Sequence, residues 1–563
     1  MGTPELPVPD GLVLRPFRGV RFAVEDPARV TSPPYDLISD ADVEVLLDSH
    51  PNNVVRLILP CSSRPDSSTH TPAPHEPAGP SAATAGTSKP AVPSDPPRIQ
   101  EPVSPSDTSR TSEPGGPSDI SGTDELGSPS HTAGVHEPRD PSGTSGTHEP
   151  YVPRVSGVPG VAAPPPGSRP DPVSPAGEVP LQARYAEARD TLQAWLDSGV
   201  LVPDAVPALY VYEQSGPDVL QRGLIGDVGL TDPAQRIILP HEDVFPGPIA
   251  DRLALMSTTR ANLEPIFLLY DGDNGAATRL VDEVASTRSP LVSARTEDGL
   301  THRLWAITDP AEIAAINDDL HHRQALIADG HHRYATYRVL QRQERATHHL
   351  HTPTPTPTTD TGAGTAGQGD GGLAPGPSDF GLALLVDSRA YPPDLKAIHR
   401  VIQGLPLAEA VARAKGSWQV HDYKDLASGL AALDRAPEPA FLLAGEDGSH
   451  LLTDPDPVQL ARAMPAEHSD RWNSLNTSVL AEFVLPVLWE MRDNDRTVRI
   501  VHHDTDAAVR LAAEIGGTAV ILKPLAVEDV LAVAAGGERV PRKSTSFGPK
   551  PRTGLVLRTF AID

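Results

Sequence analysis

The chain has 563 residues, 63 of them proline and only 4% aromatic, with a net charge of -27. That length admits more than one domain, but so much proline and so few aromatic residues exclude a chain that is packed core throughout. The acidity opposes a phosphate polymer, so nucleic acid is not an expected partner, and a single cysteine, Cys61, excludes a disulfide framework or a cysteine metal cage.

The first residues, Met1 to Pro7, have neither a basic region nor an apolar run, and no apolar stretch approaches about 18 residues. A cytoplasmic protein with no signal peptide and no membrane span is therefore expected. Leu12 to Phe17 reads as an entry strand. Pro33-Pro34-Tyr35-Asp36 follows, where two prolines hold an extended approach and aim Tyr35 and Asp36 together. A site-lining pair and a structural turn both fit. Ser39 with Asp42 predicts a helix cap, Val43, Leu46 and Leu47 its buried face, and Val54 to Leu59 a buried strand.

Residues 62–180 are a Pro/Ser/Thr/Gly tract with one aromatic residue, Tyr151, and no sustained apolar period, so disorder is expected there. The tract holds 14 acids and 7 bases, which leaves about -20 on the remaining residues. Tyr185, Leu192, Trp195 and Leu196 then mark an amphipathic helix ending near Gly199, and Ala208 to Tyr212 and Gly223 to Leu230 read as strands. Leu12 to Leu59 is too short to bury a core alone, so the chain resumes one domain around the insert.

Arg236 to Leu239 delivers Pro240-His241-Glu242-Asp243, the densest acid-base cluster in the chain. Pro248 predicts a helix start with Asp251 and Arg252 in its first two turns. The acid there complements the helix dipole. Pro265 to Tyr270 and Arg303 to Ile307 read as strands, and Asp309-Pro310-Ala311-Glu312 as a capping-box helix start.

Next comes Leu326-Ile327-Ala328-Asp329-Gly330-His331-His332-Arg333-Tyr334, a short apolar strand, an Asp-Gly turn and a second helix. Free N–H groups at a helix start, beside a guanidinium and two imidazoles, suit a phosphate or carboxylate. A turn with a solvated basic rim fits the same residues. Adjacent histidines diverge by about 100° on a helix and do not readily share one zinc, so the metal is left open.

Residues 349–379 form a second low-complexity, Thr/Pro/Gly-rich insert. Phe380 to Asp387 reads as a strand, and Leu395 to Ile402 carries His399 and Arg400. Strands at Val498 to Val501 and Thr518 to Leu522 alternate with helices at Ala507 to Ile515 and Val527 to Ala534, the last ended by Gly536-Gly537. Lys543-Ser544-Thr545 and Lys550 then sit in a loop whose lysines and hydroxyls suit a phosphate clamp or an exposed basic tail.

The Asp329–Tyr334 run closely resembles a family known as the domain of unknown function 1015. Pro16-Phe17-Arg18-Gly19, Pro33 to Ile38, Pro240-His241-Glu242, Asp251-Arg252-Leu253, Ile398-His399-Arg400-Val401 and Arg542 to Lys550 resemble it too. Asn476 and Gly548 depart from its pattern, where an acid and an aromatic are usual. The Asp-Gly-His-His-Arg run is also similar to the phosphate motif of the ParB and sulfiredoxin superfamily, which includes ParB-like free-serine kinases.

Together these readings predict an α+β protein of two packed mixed domains interrupted by two disordered inserts. Residues 1–61 with 181–348 make the first domain, and 380–563 the second. Asp329, Glu242, His241 and His332 are the expected catalytic groups. Gly330, His331, Arg333, Tyr334, Tyr35, Asp36, Arg252, His399, Arg400, Lys543, Ser544 and Lys550 are expected to bind phosphate or substrate. The resemblance implies a phosphotransferase or phosphatase acting on a small hydroxyl compound such as serine or phosphoserine, with ADP or ATP and magnesium. The rival reading is a nucleotide-sensing regulator that does not catalyse. Oligomeric state is left open.

Overall fold

The alternation of side chains along a strand puts Ala325 and Ile327 in one hydrophobic cluster and Leu326 and Ala328 in another, so this strand is covered on both faces. It belongs to a nine-stranded mixed sheet in a computed structural model that describes residues 9–60, 181–351 and 375–562. Its strands are β1 (Leu14–Arg15), β2 (Leu209–Ser215), β3 (Leu220–Gly229), β4 (Ile238–Leu239), β5 (Ile266–Tyr270), β6 (Val292–Arg295), β7 (Thr301–Ile307), β8 (Ala325–Asp329) and β9 (Phe380–Asp387). Their order is β4-β8-β5-β9-β3-β2-β7-β6, with β1 on β3. The pairs β4/β8 and β5/β9 are parallel and the others antiparallel.

One face packs on helices Ala276–Thr287, Pro310–Leu320 and His331–His351 through Val281, Val284, Ile316, Leu320, Tyr334, Tyr337 and Leu340. The other is covered by the C-terminal part of the chain, through Trp472, Leu525, Val530, Val533 and Phe547. A second sheet holds β10 (Ile398–Ile402), β11 (Gln419–Tyr423), β12 (Phe441–Gly445), β13 (Gly448–Thr453), β14 (Val498–His502) and β15 (Thr518–Ile521). It runs β11-β13-β12-β15-β10-β14, antiparallel throughout, and it too is covered on both faces. The α+β class is thus observed. The described residues all fall in one compact unit, Met1–Pro65 with Pro175–Asp563.

Several local expectations change. Val54 to Leu59 is no strand: Val55–Ile58 forms one helical turn, because Asn53 Oδ1 accepts the Val55 N–H while its amide donates to Arg29 and Thr31 carbonyls. A short run buried on every side has no period that separates the two. The helix expected from Pro248 begins at Pro246. Asp309 caps Ala311 N–H, but Glu312 turns away to pair with Arg288 and closes no capping box. The box at Ser39 and Asp42 is present. Residues 62–180 lie outside the described residues, as does most of 349–379. Asp379, placed at the end of that second insert, is instead buried and takes hydrogen bonds from Arg345 and Gln341. No helix among the described residues is long and apolar enough to cross a membrane.

The C-terminal end is fastened by charge. Arg558 and Asp227 are both fully buried and meet at 2.7 Å, and Arg558 also donates to Asn262 Oδ1 and Pro377 O. Removing Arg558 leaves the buried Asp227 carboxylate with the partly exposed Arg15 at 3.1 Å. Arg558→Met is expected to lower stability by about 1–3 kcal/mol, less than for a stranded charge because Arg15 remains on Asp227, read as a lower urea-denaturation midpoint.

Candidate functional site

At the end of β8 the backbone must turn in little space. Gly330 has φ of +91°, and a Cβ there would lie 2.9 Å from Ile266 Cγ2, so both conformation and contact require glycine. The helix starts at His331, and its first turn returns Arg333 to Asp329, one turn back, at 2.5 Å. Arg333 also donates to Pro265 O at 2.6 Å. Its guanidinium is buried and turned inward, so the geometry makes it a brace for Asp329 rather than an open anion ligand.

Two distant segments close on that carboxylate. Lys550, from the C-terminal loop, bridges Asp329 Oδ1 at 2.5 Å and Asp36. Tyr35 beside it lies under two guanidiniums, Arg252 at 4.5 Å and Arg333 at 5.8 Å from the ring centre, and its N–H donates to Glu264 Oε1. Burial works to raise the Asp36 pKa, but Lys550 and Arg333 outweigh it and hold the carboxyl below its usual range. Burial likewise works to lower Lys550, and Asp329 and Asp36 outweigh it, so the ammonium is held charged.

Beside this cluster lies a second layer. Thr545 Oγ1 donates to Glu242 Oε1 at 2.9 Å and sits 2.8 Å from His241 Nε2. His331 Nε2 accepts the His241 N–H at 3.3 Å, so the neutral ring carries its proton on Nδ1, which faces Glu242 Oε2 at 3.9 Å. Burial pushes the Glu242 carboxyl up, against the pull of Thr545 and Lys543. Burial and then Arg539 push His241 down to about 3, and burial and then His241 hold His331 well below the usual histidine range. At neutral pH this leaves two uncharged imidazoles around a carboxyl of raised proton affinity. His332 Nε2 accepts the Phe245 N–H, and its ring stacks on the Phe245 side chain.

Other residues named from the sequence stand behind the cluster. Arg252 donates to Ile58 O and to Asp251. Arg400 donates to the Arg542 and Lys543 carbonyls and so shapes the lysine loop, Ser544 Oγ donates to Pro541 O, and Tyr334 donates to Thr231 O. His399 Nδ1 accepts the Leu522 N–H, and burial followed by Arg400 lowers its pKa to about 4. Lys543 is exposed, with φ of +54°.

Three participants were not singled out as site residues: Glu264, the bridging Thr545 and His502. Burial lowers the His502 pKa, and Lys543 and Lys550 lower it further. Thr545 was read with the lysine loop but not as a partner of Glu242 and His241, while a lone glutamate before a strand and a histidine at a strand end carry no spacing that would have marked them. Of the departures from the family pattern, Asn476 is buried and its Oδ1 accepts the Ala440 N–H, while Gly548 lies in a short strand opposite Asp394.

Among the described residues no three His, Cys, Asp or Glu side chains gather as metal ligands. Asp36 and Asp329 face one another, but an ammonium lies between them. The donor set therefore does not fit a metal held by protein groups alone.

Because the folded His241 pKa is depressed, its contribution to stability is present above about pH 6.5 and is lost as pH falls toward about 3. The unfolding free energy is expected to drop across that window by on the order of a few kcal/mol more than in a His241→Gln variant. Urea titrations at stepped pH read the difference.

No curated protein matches the chain. Solved structures that it is similar to include mutants of a free serine kinase in complex with AMP or ADP, each at 13% identity and a TM-score of 0.30, over 62% of this chain and 96% of the other. SbnI from Staphylococcus aureus, truncated at its C-terminus, is similar at 12% identity and a TM-score of 0.27, over 57% of this chain and 82% of its own. A family model described as "Protein of unknown function (DUF1015)" matches residues 14–78 and 168–478. These segments make up more than half of the chain and contain Tyr35-Asp36, Glu242 and the Gly330 corner; the chain belongs to the DUF1015 family.

Proposed function

We propose that the protein is a phosphotransferase or phosphatase that acts on a small hydroxyl compound of the serine or phosphoserine kind, with ADP or ATP as its phosphoryl partner. What supports this reading is one juxtaposition. Glu242, buried and of raised proton affinity, shares its surroundings with Lys543 and Lys550, while Lys550 itself joins Asp36 to Asp329. Phosphoryl transfer asks for a proton acceptor at the attacking hydroxyl and positive charge at the phosphate oxygens, with little covalent work from the protein.

In the proposed step Glu242 takes the proton of the acceptor hydroxyl, whose oxygen bonds to phosphorus. The bond from phosphorus to the leaving phosphate oxygen breaks, and the charge left there is met by Lys543. Thr545 orients the Glu242 carboxyl, which the Nδ1–H of His331 faces at 3.9 Å. Arg333 and Tyr35 fix the Asp329 and Asp36 side chains that hold Lys550. Magnesium, where the reaction uses it, would arrive with the nucleotide, since the donor set makes no cage for it.

A regulator that binds nucleotide without turnover is favoured by a different observation. Asp36, Asp329, Arg333 and Lys550 balance each other in a closed cluster. A ligand competing for Lys550 would free Asp36 and the 33–38 turn.

Phosphorus NMR of the protein with magnesium, ADP or ATP, and serine or phosphoserine separates the two. New resonances growing over many turnovers are expected, slowed about 10²- to 10⁴-fold in Glu242→Gln, which keeps a partner for Thr545. Shifted resonances without conversion would move the regulator ahead, and conversion unaffected by Glu242→Gln would remove that residue as the base.

A further inference from the structure

The cavity walled by Arg29, Arg295 and Arg552 has a volume of about 650 Å³, within the range of small-molecule sites. None of the three guanidiniums has a carboxylate ion-pair partner among the described residues. Arg29 donates to Ser49 O, Arg552 to the Thr31 hydroxyl and carbonyl, and Arg295 is exposed at the end of β6. Four acids share the lining; three accept local hydrogen bonds, and Asp298 and Glu297 also act on Arg552 through space. Asp26 accepts from Ala28 N–H, Asp42 from Ser39, and Asp298 from Thr296 and Leu300, while Glu297 lies exposed on the turn. Another cavity, of about 430 Å³, differs in this respect: its arginines, Arg323 and Arg389, are paired with Asp319 and with Asp271 and Asp273.

Part of the lining is apolar, on and just before the helix Asp40–Ser49, whose last carbonyl Arg29 bonds. Leu37, Val45 and Leu46 make it up, with Leu37 54% and Val45 67% exposed. Three guanidiniums without a carboxylate within ion-pair distance, beside apolar side chains, match an anion with a flat apolar body. The cavity also adjoins the cluster at Asp329. Pro33, Leu37 and Ile38 line it, while Tyr35 and Asp36 of the same turn face Arg333 and Lys550. Arg552, on the cavity side, follows Lys550 by two residues.

We infer that this cavity is the nucleotide subsite: it takes a nucleoside phosphate with the phosphates on Arg29, Arg295 and Arg552 and the base against Leu37, Val45 and Leu46. The inference deepens the proposed function, and rests on it for the chemistry that follows binding. The 33–38 turn would then border both the nucleotide and the acceptor, with Lys550 at the junction where they meet.

Calorimetric titration of the full chain with ADP and with pyrophosphate tests it. Both are expected to bind the wild type, and both are expected to weaken by about tenfold to a hundredfold per guanidinium in Arg29→Ala/Arg295→Ala. Val45→Ser is expected to weaken ADP several-fold and leave pyrophosphate unchanged. An ADP affinity unchanged by the double substitution, or no ADP binding by the wild type, would overturn the inference. Binding lost in Lys543→Ala but kept in the double variant would move the nucleotide to the side of Glu242 and Lys543, leaving the phosphotransferase reading intact. Binding lost in the double variant, with no phosphoryl conversion by the wild type, would leave the cavity standing and the phosphotransferase reading fallen.

Discussion

One ammonium group ties together three parts of the chain that are remote in sequence. Lys550 lies between Asp36 and Asp329, and Arg333 holds Asp329 from behind. A buried cation between two carboxylates is favourable only if both acids are held in place, because desolvating either one alone would cost several kcal/mol. The rest of the structure supplies that restraint: β8 and the Gly330 turn for Asp329, Tyr35 between two arginines for Asp36, and Arg400 beneath the lysine loop. The neutral His241 and His331 next to it add no further positive charge, which lets a lysine-rich pocket exist beside a carboxyl of raised proton affinity.

The two sheets explain how such distant segments meet. Covering both faces of the larger sheet takes residues from nearly the whole chain, and the C-terminal segments that cover one face bring Thr545 and Lys550 to the ends of β4 and β8. The chain departs after Val55–Ile58 and re-enters at Leu181–Asp197, and Leu57, Ile58, Tyr185 and Leu192 share one cluster.

Much of the architecture was legible from periodicity and from Gly, Pro and capping residues. The strand before Gly330, read to Ala328 and observed to run one residue further, the helix from His331, the capping box at Ser39 and the helix end at Gly537 follow from rules that act over a few residues. Where the local signal is silent, the reading failed. The Val55–Ile58 turn is set by Asn53 bonding to carbonyls more than 20 residues away, and Glu312 abandons its cap for Arg288.

The sequence by itself determined the chemical inventory: an Asp-Gly-His-His-Arg corner, acids and histidines at 241–242, and lysines at 543 and 550, in a chain too acidic for a polymer of phosphates. Only the tertiary structure decided their use. It turned Arg333 inward as a brace, placed Lys550 between two carboxylates, made Thr545 the link between His241 and Glu242, and gathered Arg29, Arg295 and Arg552 around one cavity. The reason is physical. Residue type and spacing state which groups can carry charge, whereas pairing, burial and proton affinity depend on neighbours hundreds of residues away, which no local pattern encodes.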